Sequence, residues 1–395
     1  MSEQVVRGKR RRGAILSIFF IIGVALSTWL ARLPALRDNL DLETVQVGIF
    51  LFGGGAGALV GLLIAALVIA RLGETRSILV FALVAIIGMG LVGVMSVVLP
   101  WFVIALSAVF LFGLGTSITD VAMNVQGARV ERELDNQMMP WFHAMFSFGT
   151  VVGALLGAGA SVLGMGLHWH FLIVTAVLVP ATLWAVRQIP DNGDAEASST
   201  AEKKNTRREL AQVWREPRTI AIGVVALGMA FAEGSATDWL ALGMTDERGA
   251  TNASAAIWFM LFTVSMTVGR VLGVPLLNRF GRVGILSAAS VAAVTGLALL
   301  ITIDSTWVSA LAVVLWGLGA SLGFPVAMSA AADDPSQGPV RVSVVATIAY
   351  GAFLVGPPLL GALGQVIGIL NSLWVVVGLI VVSFFAIPQT KKLGT

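Results

Sequence analysis

The sequence predicts an all-α membrane protein whose twelve transmembrane helices form two pseudo-symmetric six-helix bundles. The first observation is composition: of 395 residues, 57% are hydrophobic and only 12% are charged. Soluble globular domains carry about 25% charged residues, and a soluble fold of this length could not bury so much apolar surface. The second and third observations are a series of long apolar runs and a sequence repeat that relates the two halves. The composition therefore argues against a soluble enzyme.

Twelve apolar runs are long enough to cross a bilayer, since about 30 Å of hydrocarbon takes about 20 helical residues. Lipid offers no partners to backbone groups, so only helices or closed barrels can span it. The runs lack the two-residue alternation of barrel strands and are therefore expected to be helices. Numbered as spans 1 to 12, they cover residues 14–32, 45–70, 78–99, 101–126, 140–165, 169–189, 218–243, 254–277, 284–303, 306–331, 341–367 and 369–388.

Basic residues predict the orientation of the spans. Arg7, Lys9, Arg10, Arg11 and Arg12 precede span 1, and most of the 25 Lys and Arg residues lie on the side that both termini share. The positive-inside rule places that side in the cytoplasm, so we expect a multi-pass protein of the inner cell membrane with both termini cytoplasmic. The basic start of span 1 resembles a signal peptide, but its length and the later spans favour retention as an anchor. The basic residues are thus topology determinants, and no nucleic-acid partner is expected.

The domain organisation follows from one long polar stretch, residues 190–217, which separates six spans from six. Its beginning is rich in Asp, Gly, Ala and Ser, a composition typical of disordered segments. Its end places Leu210, Val213 and Trp214 at helical spacing, as in an interfacial amphipathic helix. We therefore expect a cytoplasmic N-tail over 1–13, bundles over 14–189 and 218–388, a cytoplasmic linker over 190–217 and a C-tail over 389–395.

The two halves resemble each other in the order that a duplicated six-helix unit requires. Residues 112–118 of span 4 match residues 316–322 of span 10, and residues 121–123 match residues 326–328. Spans 5 and 11 each carry a ladder of three glycines, which are Gly149, Gly153 and Gly157 in span 5 and Gly351, Gly356 and Gly361 in span 11. Several matches in the same order indicate a structural repeat.

The loops that follow spans 2 and 8 also correspond, with Arg-Leu-Gly at 71–73 and Arg-Phe-Gly-Arg at 279–282. A pair of six-helix repeats with such loops resembles the major facilitator superfamily, and the resemblance covers essentially the whole chain. The family's signature loop reads Gly-x-x-x-Asp-Arg-x-Gly-Arg. The first copy here lacks the Asp and the second Arg, and the second copy has Asn278 in place of the Asp. The resemblance implies gating loops that contain Arg71, Gly73, Arg279, Gly281 and Arg282.

Four ionisable residues fall at bilayer depth, where a charge costs at least about 2.5–3.5 kcal/mol to insert. Asp120 lies in span 4, Glu233 and Asp238 lie in span 7, and Arg270 lies in span 8. Arg270 has two interpretations: a structural ion pair with either span-7 acid, or a counter-charge that switches the protonation of an acid. The three acids, Asp120, Glu233 and Asp238, are the candidate proton-coupling residues.

Asp120 is distinguished by its neighbours on span 4. Asn124 follows at i+4 on the same helix face, and Thr116 and Ser117 extend a polar stripe that must face protein or water. An acid four residues before an Asn in the fourth span resembles the fucose-permease-like branch of the superfamily. The resemblance implies a proton carrier at Asp120 and a substrate or gating contact at Asn124.

Span 5 extends the resemblance to that branch, since residues 142–149 are similar to it. Span 1 departs from the branch, because residues 27–32 contain no acid where the branch has one. Glu233 or Asp238 is the candidate replacement for the missing acid. His143 has two interpretations, a satisfied polar residue or a proton relay.

In this fold spans 1, 4, 7 and 10 line the central cavity, so the resemblance brings further side chains towards it. With Asn124, His143 and Arg270, the candidate substrate-binding or cavity residues are Trp29, Arg32, Trp239, Trp316 and Phe324. Aromatic faces suit sugar rings and apolar drugs equally, and a tryptophan in a span also serves lipid or core packing. His168 and His170 lack the further ligands that zinc requires, so no metal or cofactor is expected.

These observations predict a secondary transporter that moves a small polar solute, sugar-like or another metabolite, by proton-coupled uptake and alternating access. The chain has no Walker loop to support ATP-driven pumping. The first alternative is an efflux antiporter on the same fold. Span 5 lacks the Gly-Pro pair typical of antiporters, whereas span 11 contains Gly356-Pro357. The second alternative is a non-transporting membrane sensor. The expected partners are the solute, protons and the lipid bilayer, and the expected state is a monomer.

Overall fold

The computed structural model describes residues 3–98, 101–134, 138–189, 212–333 and 337–392, and the described chain is helical without strands. Twelve of the described helical segments are long and apolar enough to cross a membrane. They are Gly8–Leu30, Thr44–Leu72, Glu74–Val98, Phe102–Leu134, Trp141–Val162, Leu167–Arg187, Pro217–Arg248, Asn252–Gly273, Pro275–Thr302, Thr306–Ala331, Val340–Ile367 and Ile369–Thr390, in the order of spans 1 to 12. The predicted twelve-span, all-α fold is confirmed.

Spans 7 and 10 contain irregular helix that the apolar pattern does not predict. Span 7 consists of Pro217–Ser235, a π-helix at Ala236–Leu240 and Ala241–Arg248. Span 10 is divided into Thr306–Ala320 and Gly323–Ala331. π-Helical turns inside α-helices occur frequently at functional sites, so span 7 is a candidate location for such a site.

The bounds of several other helices differ from the bounds of the corresponding spans. Span 1 belongs to helix Glu3–Leu30, which runs through most of the expected N-tail and is followed by helix Leu33–Leu40. Spans 5 and 11 belong to Met139–Val162 and Gly338–Ile367. Spans 8 and 9 lie in one helical run, Asn252–Thr302, which is kinked at Gly281. Span 12 consists of Ile369–Ser372, Trp374–Ala386 and the 3₁₀ turn Ile387–Thr390.

The described chain divides into two compact units with six spans each. Unit 1 contains spans 1 to 6 together with Asn252–Ile257, and unit 2 contains the rest of spans 7 to 12. Within unit 1, span 1 packs against span 5, and spans 2 and 3 pack against span 4. Within unit 2, span 7 packs against spans 10, 11 and 12. Most of the expected linker, including Leu210, lies outside the described residues; Val213 is buried and Trp214 is exposed.

Glycines bring helix backbones of unit 1 into direct contact. A Cβ atom at Gly149 of span 5 would overlap the backbone oxygen of Phe20 in span 1. A Cβ atom at Gly113 of span 4 would overlap the backbone oxygen of Gly54 in span 2. Small residues at helix contacts are typical of membrane proteins, where association depends on close packing rather than on the exclusion of water.

The two loops matched in sequence also match in backbone conformation. Gly73 follows span 2 with φ 79°, and Gly281 follows span 8 with φ 71°. Both values lie in the left-handed region that side chains with a Cβ rarely adopt. The glycine in each loop is therefore required by the turn itself, and this requirement accounts for part of the repeat.

Candidate substrate and proton sites

Asp120 and Asn124 form the pair that their spacing predicts. The Asn124 side-chain amide donates to Asp120 Oδ1 at 3.1 Å and to the Asp120 backbone oxygen at 2.9 Å. The Asp120 side chain is exposed, although it lies near the middle of the Phe102–Leu134 helix. Unit 1 therefore supplies one amide partner to this carboxylate and leaves its other side uncovered.

The remainder of the predicted polar stripe on span 4 does not join this pair. Thr116 Oγ1 bonds to the Phe112 and Gly113 backbone oxygens of its own helix, both at 2.9 Å. Ser117 lies against Gly61 of span 2. Thr116 thus satisfies its hydroxyl on the preceding turn of its own helix, and Ser117 faces protein.

Glu233 is the acid that pairs with Arg270. Arg270 Nη2 donates to Glu233 Oε1 at 2.9 Å, and its Nε donates to the Ser321 backbone oxygen at 3.4 Å. The guanidinium consequently connects spans 7, 8 and 10 within unit 2. Both members of the ion pair are about a quarter exposed, with relative accessibilities of 28% for Arg270 and 24% for Glu233.

Asp238 lies on the π-helix of span 7, and its carboxylate forms no hydrogen bond or ion pair with any described residue. It lines a narrow pocket between spans 7 and 11 of unit 2, whose volume of about 10 Å³ is room for about one water molecule. The walls are Phe231, Gly234, Ser235, Asp238 and Trp239 on span 7 and Ala352, Phe353, Gly356, Pro357 and Leu360 on span 11. The pocket is apolar apart from the carboxylate, the Ser235 hydroxyl and the indole N–H of Trp239, which also lacks a partner.

The other two candidate tryptophans are packing residues in this structure. Trp29 is 6% exposed, and its ring contacts Phe50 and Phe112 edge-on with centroids 6.3 and 5.8 Å apart. Trp316 is fully buried, and its Nε1 donates to the Ala232 backbone oxygen at 3.1 Å. Their expected cavity role is therefore not supported, because both rings are enclosed by helices of their own unit.

Three further candidates differ in exposure. His143 is exposed, and its ring meets Phe19 edge-on at 5.3 Å. Phe324 is half-buried at the start of the second helix of span 10. Arg32 is buried inside unit 1 rather than presented on its surface, so the structure does not place it at an open cavity.

The loops after spans 2 and 8 each hold an ion pair that motif reasoning missed. In unit 1, Arg129 Nη2 donates to Glu74 Oε1 at 3.0 Å. In unit 2, Arg282 Nη1 donates to both oxygens of Asp333 at 2.9 and 2.7 Å. Of the other expected loop residues, Arg71 and Arg279 are exposed, and Arg279 lies over the Phe280 ring. The signal in the sequence was the charged residue directly after each loop glycine.

A cluster of charged and hydroxyl side chains lies at the start of span 7, the first span of unit 2. Arg341 at the start of span 11 donates to both Glu216 oxygens at 2.8 and 2.7 Å, and Thr219 donates to Glu216 at 2.7 Å. Burial raises the pKa of Glu216, but these hydrogen bonds together with the charges of Arg341 and Arg218 outweigh it and lower the pKa. The cluster is thus stable as an ion pair near neutral pH.

Comparison with known proteins indicates the family to which the chain belongs. The family model of the Major Facilitator Superfamily matches residues 121–336 and 234–392. The chain belongs to the major facilitator superfamily. As a superfamily member it is a membrane transporter and not an enzyme. An uncharacterized MFS-type transporter of Yersinia pestis is 27% identical over 379 residues, which are 95% of this chain and 94% of that protein.

Solved structures of other superfamily members share the fold. The nucleoside transporter NupG aligns with a TM-score of 0.71 at 14% identity, over 97% of this chain and 98% of that chain. FucP in the outward conformation aligns with a TM-score of 0.67 at 16% identity, over 96% of this chain and 98% of that chain. The similarity to FucP is consistent with the resemblance to the fucose-permease-like branch.

Proposed function

We propose that this transporter imports a small polar solute together with protons, and that Asp120 is the principal proton carrier. The observation that carries the proposal is an exposed carboxylate near the middle of span 4 with an amide as its partner. A charge that faced hydrocarbon there would cost at least about 2.5 kcal/mol. Exposure to a water-filled path, with a proton taken up before the carrier reorients, removes that cost.

Asp238 is the second proton carrier in this proposal. Its carboxylate has no partner among the described residues, and it lies where a π-helix opens a pocket. Glu233 differs because Arg270 already neutralises it. We therefore assign Glu233 and Arg270 a structural role in joining spans 7, 8 and 10, and we assign the place of the missing span-1 acid to Asp238.

The solute that we propose is a polyol or a similar neutral metabolite. The Asp238 pocket places a carboxylate and the Trp239 indole beside Phe231 and Phe353, and it must widen to admit a solute. Hydroxyl groups suit the two polar partners, and the apolar face of a ring suits the aromatic walls. Two of the proteins with a similar fold are a nucleoside transporter and a fucose:proton symporter, and both of those solutes are polar rings.

The proposed cycle is alternating access, in which one repeat rocks against the other around the bound solute. Most basic residues lie on the side of the termini, and this bias supports an inner-membrane protein with cytoplasmic termini. The efflux alternative rests on one observation, the pair Gly356-Pro357, because a Gly-Pro pair is typical of antiporters. Both residues line the Asp238 pocket. The direction of flux relative to the proton gradient separates the two functions.

The test is uptake into proteoliposomes with an imposed inward proton gradient, screened against radiolabelled sugars and nucleosides. One coupled proton and a pH difference of about one unit support accumulation of up to about tenfold, because each unit is worth about 1.4 kcal/mol. Asp120→Asn is expected to abolish accumulation while solute exchange without a gradient persists. Asp41→Asn is the matched control, because Asp41 is exposed at a helix end with φ 50°, a conformation that Asn tolerates.

Accumulation by Asp120→Asn at the wild-type level would refute the proton role. Solute that moves out as protons move in would show that the protein is an antiporter. Asp238→Asn is expected to weaken accumulation and solute affinity together, because this residue lines the pocket.

A further inference from the structure

A cluster of buried polar side chains in unit 1 has donors without acceptors. It lies where spans 1 and 5 end and span 6 begins, in the region that contains the motif at 168–170. Arg32 is central to it: the side chain is 5% exposed, and its Nη2 donates to the Met165 backbone oxygen at 2.9 Å. Its Nε and Nη1 are buried and have no hydrogen-bond partner among the described residues.

Other buried side chains near the ends of spans 1 and 5 and the start of span 6 carry further unused polar groups. His170 is 4% exposed and neither ring nitrogen has a described partner, while Arg32 is close enough for its charge to act on the ring. Thr28 Oγ1, one turn earlier on span 1, and Ser161 Oγ, at the end of span 5, are also buried without a partner. Spans 1 and 5 approach closely beside them at Gly157. Each of these four side chains thus has a buried polar atom without a hydrogen-bond partner among the described residues.

Arg248 of unit 2 corresponds to Arg32 in its position along the repeat, and its partners can be compared with those of Arg32. Arg248 ends span 7 as Arg32 follows span 1, and it donates to the backbone oxygens of Leu300 and Ile301 at 2.8 and 3.3 Å. Arg248 also forms an ion pair with Asp304 at 3.6 Å. Arg32 forms no ion pair with any carboxylate in the described ranges. Of these two arginines, the more deeply buried one is therefore the one without a counter-ion.

A buried guanidinium without a counter-ion is strongly disfavoured, because desolvation of the charge is not compensated. The unused groups are two guanidinium nitrogens of Arg32, which can only donate hydrogen bonds, and two hydroxyls and an imidazole, each of which can donate one as well as accept. A set of donors around a cation is complementary to an anion. Span 6 begins at Leu167, so the positive end of its helix dipole lies beside His170. This end of the dipole favours a bound negative charge.

We propose that Arg32 and His170, with Thr28 and Ser161, form a binding site for a small monovalent anion, either chloride or the carboxylate of a small organic acid. Arg32 contacts the backbone of the turn at 163–166, in which Leu163 and Gly164 are exposed. The site is independent of the proton carriers proposed above, since neither Asp120 nor Asp238 belongs to it. Occupation would stabilise the ends of spans 1, 5 and 6 against one another.

The test is the thermal stability of the purified full-length protein, followed by intrinsic tryptophan fluorescence. Sodium 2-(N-morpholino)ethanesulfonate, whose bulky anion is neither a carboxylate nor a polyol, is replaced stepwise by sodium chloride or sodium acetate at constant ionic strength and pH. Binding to the folded state is expected to raise Tm saturably by about 2–4 °C. Arg32→Gln is expected to lose the increase, and Arg248→Gln, the matched control, is expected to keep it.

A response to chloride alone would identify the occupant as an inorganic anion, and a response to acetate would identify it as a carboxylate. An unchanged Tm in both salts would overturn the proposal and leave ordered water as the occupant, as would equal increases in wild type and Arg32→Gln. Where Arg32→Gln does not fold, His170→Asn decides, with a midpoint shifted at least about threefold to higher anion concentration. An unshifted midpoint in that variant would also overturn the site.

Discussion

Spans 5 and 11 carry matching glycine ladders, but their glycines meet different neighbours. In unit 1, Cβ atoms at Gly149 and Gly153 would collide with backbone atoms of span 1. In unit 2, a Cβ at Gly351 would find only Leu227 Cδ1 at 3.9 Å, and one at Gly356 would meet the Phe231 ring at 3.3 Å. The same residue type thus fixes a backbone contact in unit 1 and leaves side-chain space in unit 2, where the Asp238 pocket lies.

The ionisable residues diverge between the units in a similar way. Asp120 lies on an uninterrupted helix, whereas the matching part of span 10 is interrupted between Ala320 and Gly323 and carries no acid. The acids of unit 2 that fall at bilayer depth, Glu233 and Asp238, lie instead on span 7, at or next to its π-helix. The two units therefore share their helix order, while their acids at bilayer depth lie on the fourth span of one copy and on the first span of the other.

The largest predicted effect tests the two glycine ladders. Gly149→Ala is expected to reduce the free energy of unfolding by about 3 kcal/mol, because the backbones of spans 1 and 5 must separate. Gly351→Ala is expected to change it by less than about 1 kcal/mol, since the new methyl group meets open space. Thermal unfolding of the purified proteins measures both, with Gly159→Ala on span 5 as the control because nothing lies within 4 Å of its Cβ. Equal losses at Gly149 and Gly351 would show that the ladders pack alike.

The second prediction compares the paired acid of unit 2 with the acid of unit 1 that has no charged partner. Arg270→Gln is expected to destabilise by about 2 kcal/mol, less than a fully buried pair because both side chains are partly exposed. Glu233→Gln combined with Arg270→Gln is expected to recover most of this loss, since no uncompensated charge remains. Asp120→Asn is expected to leave stability unchanged within about 0.5 kcal/mol.

Stability of these variants is read from thermal unfolding at one pH. A double variant that is as unstable as Arg270→Gln would show that the packing of the side chains, rather than their charge, is what spans 7, 8 and 10 require. A large loss in Asp120→Asn would show that unit 1 stabilises the charge of this carboxylate beyond its hydrogen bond with Asn124.

The fold and part of the site could be predicted because they depend on local patterns. Apolar run length determines the spans, and the i, i+4 spacing of Asp120 and Asn124 determines their hydrogen bond. The partner of Arg270 could not be predicted, because two acids on span 7 were equally near in sequence. The burial of Trp29 and Trp316 within their own units could not be predicted, because the rotation of each helix depends on tertiary packing. The unpaired state of Arg32 is likewise visible only once neighbouring spans are in place.

The smallest predicted effect concerns the loop ion pairs, whose polarity is reversed between the units. In unit 1 the acid, Glu74, follows the loop glycine and the base, Arg129, lies on span 4. In unit 2 the base, Arg282, follows the glycine and the acid, Asp333, lies just after span 10. Exchange of the charges in unit 1, Glu74→Arg with Arg129→Glu, reproduces the polarity of unit 2. Each single change is expected to cost about 0.5–1 kcal/mol, and the double change is expected to recover most of it.

The same exchange in unit 2 is expected to fail, and this asymmetry is the sharper test. Asp333 also lies 3.5 Å from Arg218, and Arg282 also donates to the Ser329 hydroxyl at 2.9 Å. In Arg282→Asp with Asp333→Arg, the new arginine would face Arg218, and repulsion between like charges would remain. Double-mutant cycles of thermal stability in both units measure the two coupling energies. Recovery in unit 2 equal to that in unit 1 would mean that Arg218 does not contribute, and that each loop is held by one isolated pair.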